Sequence, residues 1–513
     1  MATTSRAGTA AGIRFGDEFV PQAEIYERGA RAATGFASIG VERGDVVATF
    51  LRNDVSMFEA AIGAATLGAL VVPVNWHFKR DEARYVLEDS GAKVLVAHCD
   101  LLAEIEGAVP DGVTVLSVPT VAARRAASDT PCPAPGTEEW RTWLAQFEPW
   151  ADPPQTPEYS MNYTSGTTGQ PKGVRREPLS DEGRAAVARM FEQLRVGPGM
   201  RTIVAAPLYH AAPFGFSMAV LAAGGFIVLM DRFDPEAYLA TIEEFAINNL
   251  QMVPTMFVRL LKLPDDVRAK YDVSSLELVS HGAAPCPPDV KQAMIEWWGP
   301  IIFEFYAASE LGLIATFCTS EEALAHPGTV GRPVEGAEIR ILDDDGTELP
   351  AGSVGEIAMW IRGTSAFTYH GNDEKRRGIQ RGDLVTCGDM GYVDDDGYLY
   401  LTDRKSDMAI VGGANVYPAE VEHVLIGMPG VLDCAVFGIP DDDLGEVLAA
   451  VVQPQPGAEL TSQEIIDWLA ARIARTKVPR VVELRDELPR EDTGKLFKRK
   501  LKQEFAARVT PSS

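Results

Sequence analysis

Cysteine is scarce: six in 513 residues, scattered at Cys99, Cys132, Cys286, Cys318, Cys387 and Cys434. No two form a CxxC pair, which removes the usual zinc and dithiol motifs. The scatter fits a reduced, cytoplasmic setting. Positive charge is also short. Lys and Arg total 47 against 73 Asp and Glu, a formal net charge of −26. A nucleic-acid partner wants a basic face, and anionic membranes attract basic segments, so the balance disfavours both. Solubility is its plain meaning. No stretch approaches the roughly eighteen uninterrupted apolar residues of a spanning helix, so no integral membrane segment is expected. Residues 1–13 lack the basic start and apolar run of a secretory signal.

What is present reads as α/β. The length suggests several domains, and the 46% hydrophobic and 23% charged content is ordinary for a globular chain. Strand-like runs at 46–51, 70–74 and 93–97 alternate with helical stretches such as 56–67. The alternation resumes with strands at 202–206, 226–230, 250–253, 276–280 and 301–305. Such a pattern predicts βαβ units with parallel sheets. Residues 339–361 change to short strands with turns at Asp345-Gly346 and Gly352-Ser353, as in a small barrel. Polar residues thicken around Asp403-Arg404-Lys405, and a smaller α+β unit follows. The predicted architecture is a large N-terminal domain (1–403) of two doubly wound sheets plus a small β-barrel. A small mobile C-terminal domain (404–513) completes it.

The chain is organised around Tyr163-Thr164-Ser165-Gly166-Thr167-Thr168-Gly169-Gln170-Pro171-Lys172-Gly173-Val174. Glycines let the backbone turn its N–H groups inward, and such a concave run of donors binds anions. Hydroxyls add directional hydrogen bonds, and Lys172 adds a compact charge suited to phosphate. A short strand at 159–163 leads in, and a helix at 183–194 follows. The Walker motif is excluded, because Pro171 and Gly173 flank the lysine where Gly and Ser or Thr are needed. A flexible polar surface loop is the bland alternative.

This run resembles the phosphate-loop signature of the adenylate-forming enzymes: acyl-CoA synthetases, peptide-synthetase adenylation domains and luciferases. The resemblance extends from about Arg31 to the end, and its other parts occur in family order. It implies that residues 164–169 and Lys172 hold the β- and γ-phosphates of ATP, with Thr164 also a catalytic and metal-contacting residue. His210, at the end of Ala206-Pro207-Leu208-Tyr209-His210, would line the acyl channel. Gly282, Ala283 and Ala284 would form a wall of the adenine and acyl pockets, where small residues let a flat ring lie against backbone. In Tyr306-Ala307-Ala308-Ser309-Glu310, Tyr306 would stack on adenine, Ser309 would bond the α-phosphate and Glu310 would bind Mg²⁺. Ala307 stands where the family has Gly, and its methyl would crowd the pocket. Asp389 would take the ribose hydroxyls, and Arg404 the ribose and phosphate. Ser406 occupies the hinge position, often Asp or Lys in the family. Gly412 and Gly413 would join the pantetheine tunnel during thioester formation. Lys495, in Thr493-Gly494-Lys495, would reach the carboxylate and α-phosphate during adenylation.

The function implied is an ATP-dependent acid–CoA ligase that passes through an acyl-adenylate and releases pyrophosphate. ATP, Mg²⁺ and coenzyme A would be required. Phe214, Phe216, Val253 and Met256 suggest an apolar acid, whether fatty, aryl or steroid-type. A stand-alone adenylation enzyme serving a carrier protein, a luciferase-like oxygenase and a non-catalytic binding protein of the same fold remain open. No carrier domain follows Lys495, which disfavours a fused system. A homodimer is admitted, though no sequence feature requires one.

Overall fold

The structure, a computed structural model, describes residues 10–120, 132, 134–164, 171–411, 414–441, 444–490, 496 and 498–509. Its first sheet is wholly parallel. The strands Leu70–Pro73, Val46–Phe50, Ala92–His98, Thr114–Val118 and Glu138–Glu139 lie in that spatial order. Val47, Val94 and Val96 enter one hydrophobic core, while Val46, Ala48, Phe50, Leu95 and Ala97 enter another. Both faces are therefore buried, which explains the unbroken apolar runs.

Two helices, Gln22–Ser38 and Val55–Thr66, fill the first of these cores with Ile25, Ala32, Phe36, Phe58 and Ala64. They approach closely. A Cβ at Gly29 would lie 2.5 Å from Ile62 Cγ2, and one at Gly63 would lie 2.7 Å from Ala32 Cβ. Glycine in a helix costs about 1 kcal/mol in propensity, and close helix packing offsets that here. The same core receives Val204, Ile227 and Leu229 of the next sheet. The helix pair is thus a layer shared by two sheets.

That second sheet runs parallel through Arg201–Val204, Phe226–Leu229 and Gly12–Phe15, with Glu18–Pro21 antiparallel at its edge. It adjoins a third, where Asn249–Met252, Leu278–His281 and Ile302–Ala307 are parallel. Asn248 stitches the junction: its N–H donates to Arg201 O at 3.1 Å and its side-chain oxygen accepts from Arg201 N at 2.8 Å. The predicted doubly wound sheets are present.

The predicted barrel is not seen as such. Ala337–Leu342, Gly355–Ile361, Leu384–Val393 and Gln380–Arg381 form an antiparallel sheet, with Leu399–Arg404 also on Leu384–Val393. Among the described residues no pairing closes it.

After Arg404 a further sheet orders Ala414–Val416, Ala409–Val411, Gly445–Pro454 and Val431–Asp441, with Val481–Leu484 parallel to Gly445–Pro454. The helices Pro418–Ile426 and Ser462–Ala470 place Val421, Leu425, Ile465 and Leu469 in its core. Ser406 lies in an exposed turn where Asp407 N and Met408 N both donate to Arg404 O.

One cysteine expectation needs correcting. Cys99 and Cys132 are disulfide-bonded across 33 residues, while Cys286, Cys318, Cys387 and Cys434 are free. No helix is long and apolar enough to cross a membrane among the described residues.

Candidate nucleotide-binding site

The strands on either side of the hydroxyl-rich run form a hairpin. Ser160–Thr164 pairs antiparallel with Lys172–Arg176, with Thr164 opposite Lys172. Ser165, Gly166, Thr167, Thr168 and Gly169 lie outside the described residues, as does the Thr164 side chain. The leading strand is anchored by Tyr163, whose hydroxyl donates to Asp89 Oδ2 at 2.6 Å. A third strand, Phe367–Tyr369, joins the hairpin with Tyr369 opposite Val174, and His370 N donates to Gly173 O at 2.7 Å.

Three predicted ligands converge from distant segments. Tyr306 ends the parallel strand Ile302–Ala307, and its hydroxyl donates to Asp389 Oδ2 at 2.7 Å. Arg404 Nε lies 3.2 Å from Asp389 Oδ1. Asp389 and Arg404 face each other across adjacent antiparallel strands. Burial, then the Asp389 carboxylate, pushes the Tyr306 hydroxyl well above its ordinary pKa, so it stays a donor. Parallel strands present ligand sites at their carboxyl ends, and Tyr306 is at such an end.

Beyond Tyr306 the strand register shifts. Ala307 and Ser309 are exposed there, so the Ala307 methyl faces open space rather than the core. The Ser309 carbonyl accepts from Arg176 Nη1. Glu310 Oε1 accepts the Tyr369 hydroxyl at 3.0 Å. No Lys or Arg forms a direct ion pair with Glu310 among the described residues, though the charges of Arg176, Lys375 and Arg404 reach it. No cluster of three or more His, Cys, Asp or Glu there could hold a metal by itself. A single carboxylate fits Mg²⁺ when substrate phosphates supply the remaining oxygens.

The turn after Leu278–His281 is tight for a stated reason. A Cβ at Gly282 would lie 2.7 Å from Phe305 O and 2.8 Å from Phe305 Cε2. Ala283 takes φ 68°, rare for a residue with a side chain. Beneath the turn, Lys291 Nζ donates to the Glu304 carboxylate and to Thr329 O at 3.1 Å. Burial pushes the Glu304 carboxyl up, and Lys291 pulls it back. His281 is fully buried, and burial followed by the Lys291 charge holds its pKa well below 6.5.

His210 precedes the helix Ala211–Ala222, with its ring 4.2 Å from that of Tyr209. The segment leading to it is pinned by Asn53. That side chain donates to Ala206 O at 3.1 Å and Met230 O at 3.0 Å, and accepts from Leu208 N at 2.9 Å. Sequence reasoning missed Asn53 and Arg176; only their side-chain chemistry near a strand end hinted at them. Gly412, Gly413 and Lys495 lie outside the described residues. The strands flanking the glycine pair align Val411 with Ala414.

The parallel sheets, with Tyr306, Asp389 and Arg404 gathered at one end, define a nucleotide-binding type of enzyme fold. Residues 10–369 match the family model described as AMP-binding enzyme, and residues 420–495 match that of the AMP-binding enzyme C-terminal domain; the chain belongs to this family. It is 33% identical over 501 residues to a feruloyl-CoA synthase of an Amycolatopsis species, covering 97% of this chain and 96% of the relative. It is 31% identical over 488 residues to the long-chain-fatty-acid–CoA ligase FadD13 of Mycobacterium tuberculosis, covering 93% and 92%. Among solved structures it is similar to the anthranilate CoA ligase AuaEII in complex with anthranoyl-AMP. That match has a TM-score of 0.83 and 27% identity, covering 98% of this chain and 96% of the other.

Proposed function

We propose that the chain is an ATP-dependent acid–CoA ligase acting on an apolar carboxylic acid. The observation that carries this is the meeting of Tyr306, Asp389 and Arg404 from three segments beside the 164–172 hairpin. A carboxylate is a poor electrophile because its leaving group would be oxide. Attack of its oxygen on the α-phosphorus of ATP forms an acyl-adenylate and breaks the bond to pyrophosphate. The CoA thiol, losing its proton, then attacks the acyl carbon and AMP departs. Protein groups chiefly position reactants and neutralise charge.

In this reading the hairpin loop with Thr164 and Lys172 takes the β- and γ-phosphates. Asp389 and Arg404 take the ribose, and Tyr306 borders the adenine against Gly282 to Ala284. Ser309 meets the α-phosphate, and His210 lines the acid's channel. Glu310 and Thr164 would hold Mg²⁺, which supplies charge neutralisation to the phosphates. Lys495 serves adenylation. The domain boundary at 403/404 lets the smaller domain turn about Ser406 and bring in Gly412 and Gly413 for thioester formation. A cytoplasmic location follows the family's use of intracellular ATP and CoA.

The relatives' names include an aryl and a fatty acid, which supports an apolar acid as the class. A panel of fatty, aryl and steroid-type acids, with ATP, Mg²⁺ and either CoA or a carrier protein, tests the reading by product mass. Acyl-CoA formation with an apolar acid supports it. Acyl transfer to the carrier protein alone, or no acyl product from any acid, overturns it.

A further inference from the structure

We infer that Lys375 is a second polyphosphate ligand, which pairs with Lys172 to grip the pyrophosphate portion of ATP and pyrophosphate itself. This rests on the proposed adenylation reaction and adds to it a residue outside the phosphate-loop motif.

The fold brings the two lysines together. Lys172 opens the strand that leaves the loop, and Phe367–Tyr369 pairs alongside it. The chain then turns directly into the short helix Asp373–Gly378. Asn372 fixes the helix start by accepting from Lys375 N at 2.9 Å. The Lys375 side chain runs back over the Tyr369 ring, its Nζ 4.4 Å from the ring centre. The same tyrosine is tethered through its hydroxyl to Glu310. Lys375 thus reaches the Lys172 ammonium.

Two ammonium groups carry only donors and repel. Lys172 Nζ is buried without a hydrogen-bond acceptor. Neither lysine forms an ion pair with a carboxylate among the described residues. Glu310, the acid nearest in charge effect, is engaged by Tyr369. Burial, then the neighbouring Lys172, pushes the Lys375 ammonium down to about 8. Two paired cations that form no ion pair among the described residues, and that share only the nearby charge of Glu310, are preorganised for a multiply charged anion. The hydroxyl- and glycine-rich sequence that precedes Lys172 narrows the choice to phosphate oxygens, for which a lysine is a compact point-charge ligand. The ring face of Tyr369 holds Lys375 by a cation–π contact without neutralising it.

The test is calorimetric titration of the full chain with inorganic pyrophosphate and, separately, with AMP, both with Mg²⁺. The wild type is compared with Lys375→Gln and Lys375→Arg. A lost charge-assisted contact should weaken pyrophosphate binding by about tenfold or more in Lys375→Gln. AMP affinity should stay within about twofold, because AMP lacks the β- and γ-phosphates, and Lys375→Arg should recover most of the loss. Equal pyrophosphate affinity in Lys375→Gln and wild type overturns the assignment, as does an equal loss for AMP. If wild type shows acid-dependent pyrophosphate exchange while Lys375→Gln binds pyrophosphate normally, only the lysine pair fails. A wild type that neither exchanges nor binds pyrophosphate overturns the reaction and the pair together.

Discussion

Replacing Lys291 with Met should destabilise the chain strongly at neutral pH and weakly in mild acid. Lys291 and Glu304 have side chains only 4% and 3% exposed, so the variant leaves a carboxylate in the core with no countercharge. Burial of an unpaired charge drives neutralisation instead. Glu304 then takes up a proton on folding, and its unfolded pKa of 4.5 sets the cost. Holding the carboxyl protonated costs about 3.4 kcal/mol at pH 7 and about 0.8 kcal/mol at pH 5, from 1.36 kcal/mol per pKa unit. The sign follows from a folded pKa raised above the unfolded one. The variant's folded state is favoured below pH 4.5 and loses ground as pH rises. A smaller, pH-independent loss comes from the freed Thr329 carbonyl, about 1 kcal/mol. Urea titration at pH 5 and pH 7 can be followed by tryptophan fluorescence, because Trp298 shares the helix of Lys291 and packs in the adjoining core. Adding Glu304→Gln should recover most of the loss at pH 7. An equal loss at both pH values, or a loss below about 1 kcal/mol at pH 7, would refute the buried-charge reasoning.

Three further outcomes are expected. Asp389→Asn should raise the KM for ATP by about tenfold to a hundredfold, the range for contacts to a charged group, while the KM for the acid changes little in initial-rate kinetics. Gly282→Val should abolish ATP binding in calorimetry, since its Cβ would sit 2.7 Å from Phe305 O; binding within about twofold of wild type would show that the turn yields freely. His281→Asn should flatten the acid-side stability profile. The neutral buried ring binds fewer protons than the unfolded chain below pH 6.5, so wild-type stability falls as pH drops through that value, by up to about 1.4 kcal/mol per unit.

The strands of the parallel sheets were legible because both faces are buried. Runs such as Val46–Phe50 and Ala92–His98 are apolar almost throughout, with Gly44 and Gly91 shortly before them. Tyr306, Asp389 and Arg404 were legible from their motifs, though the sequence gives no distance between them. What escaped was long-range pairing. Gly12–Phe15 is short and polar at Arg14; it pairs locally with Glu18–Pro21, but its parallel partner Phe226–Leu229, some two hundred residues on, is what brings it into the sheet. Phe367–Tyr369 is three residues long, yet it closes the hairpin sheet and carries Lys375 toward Lys172. The Cys99–Cys132 bond hid in the same way, because spacing alone says nothing of which loops meet. Asn53 reads as an ordinary turn residue until three backbone groups are found on it.

The central claim is that a carboxylate oxygen attacks the α-phosphorus of ATP. An accepted acid labelled with ¹⁸O in its carboxylate tests this most directly, with AMP, pyrophosphate and acyl-CoA recovered and weighed. The account predicts one labelled oxygen in AMP, none in pyrophosphate, and the other in the thioester carbonyl. Label in inorganic phosphate with ADP as the nucleotide product, or unlabelled AMP alongside acyl-CoA, would contradict it.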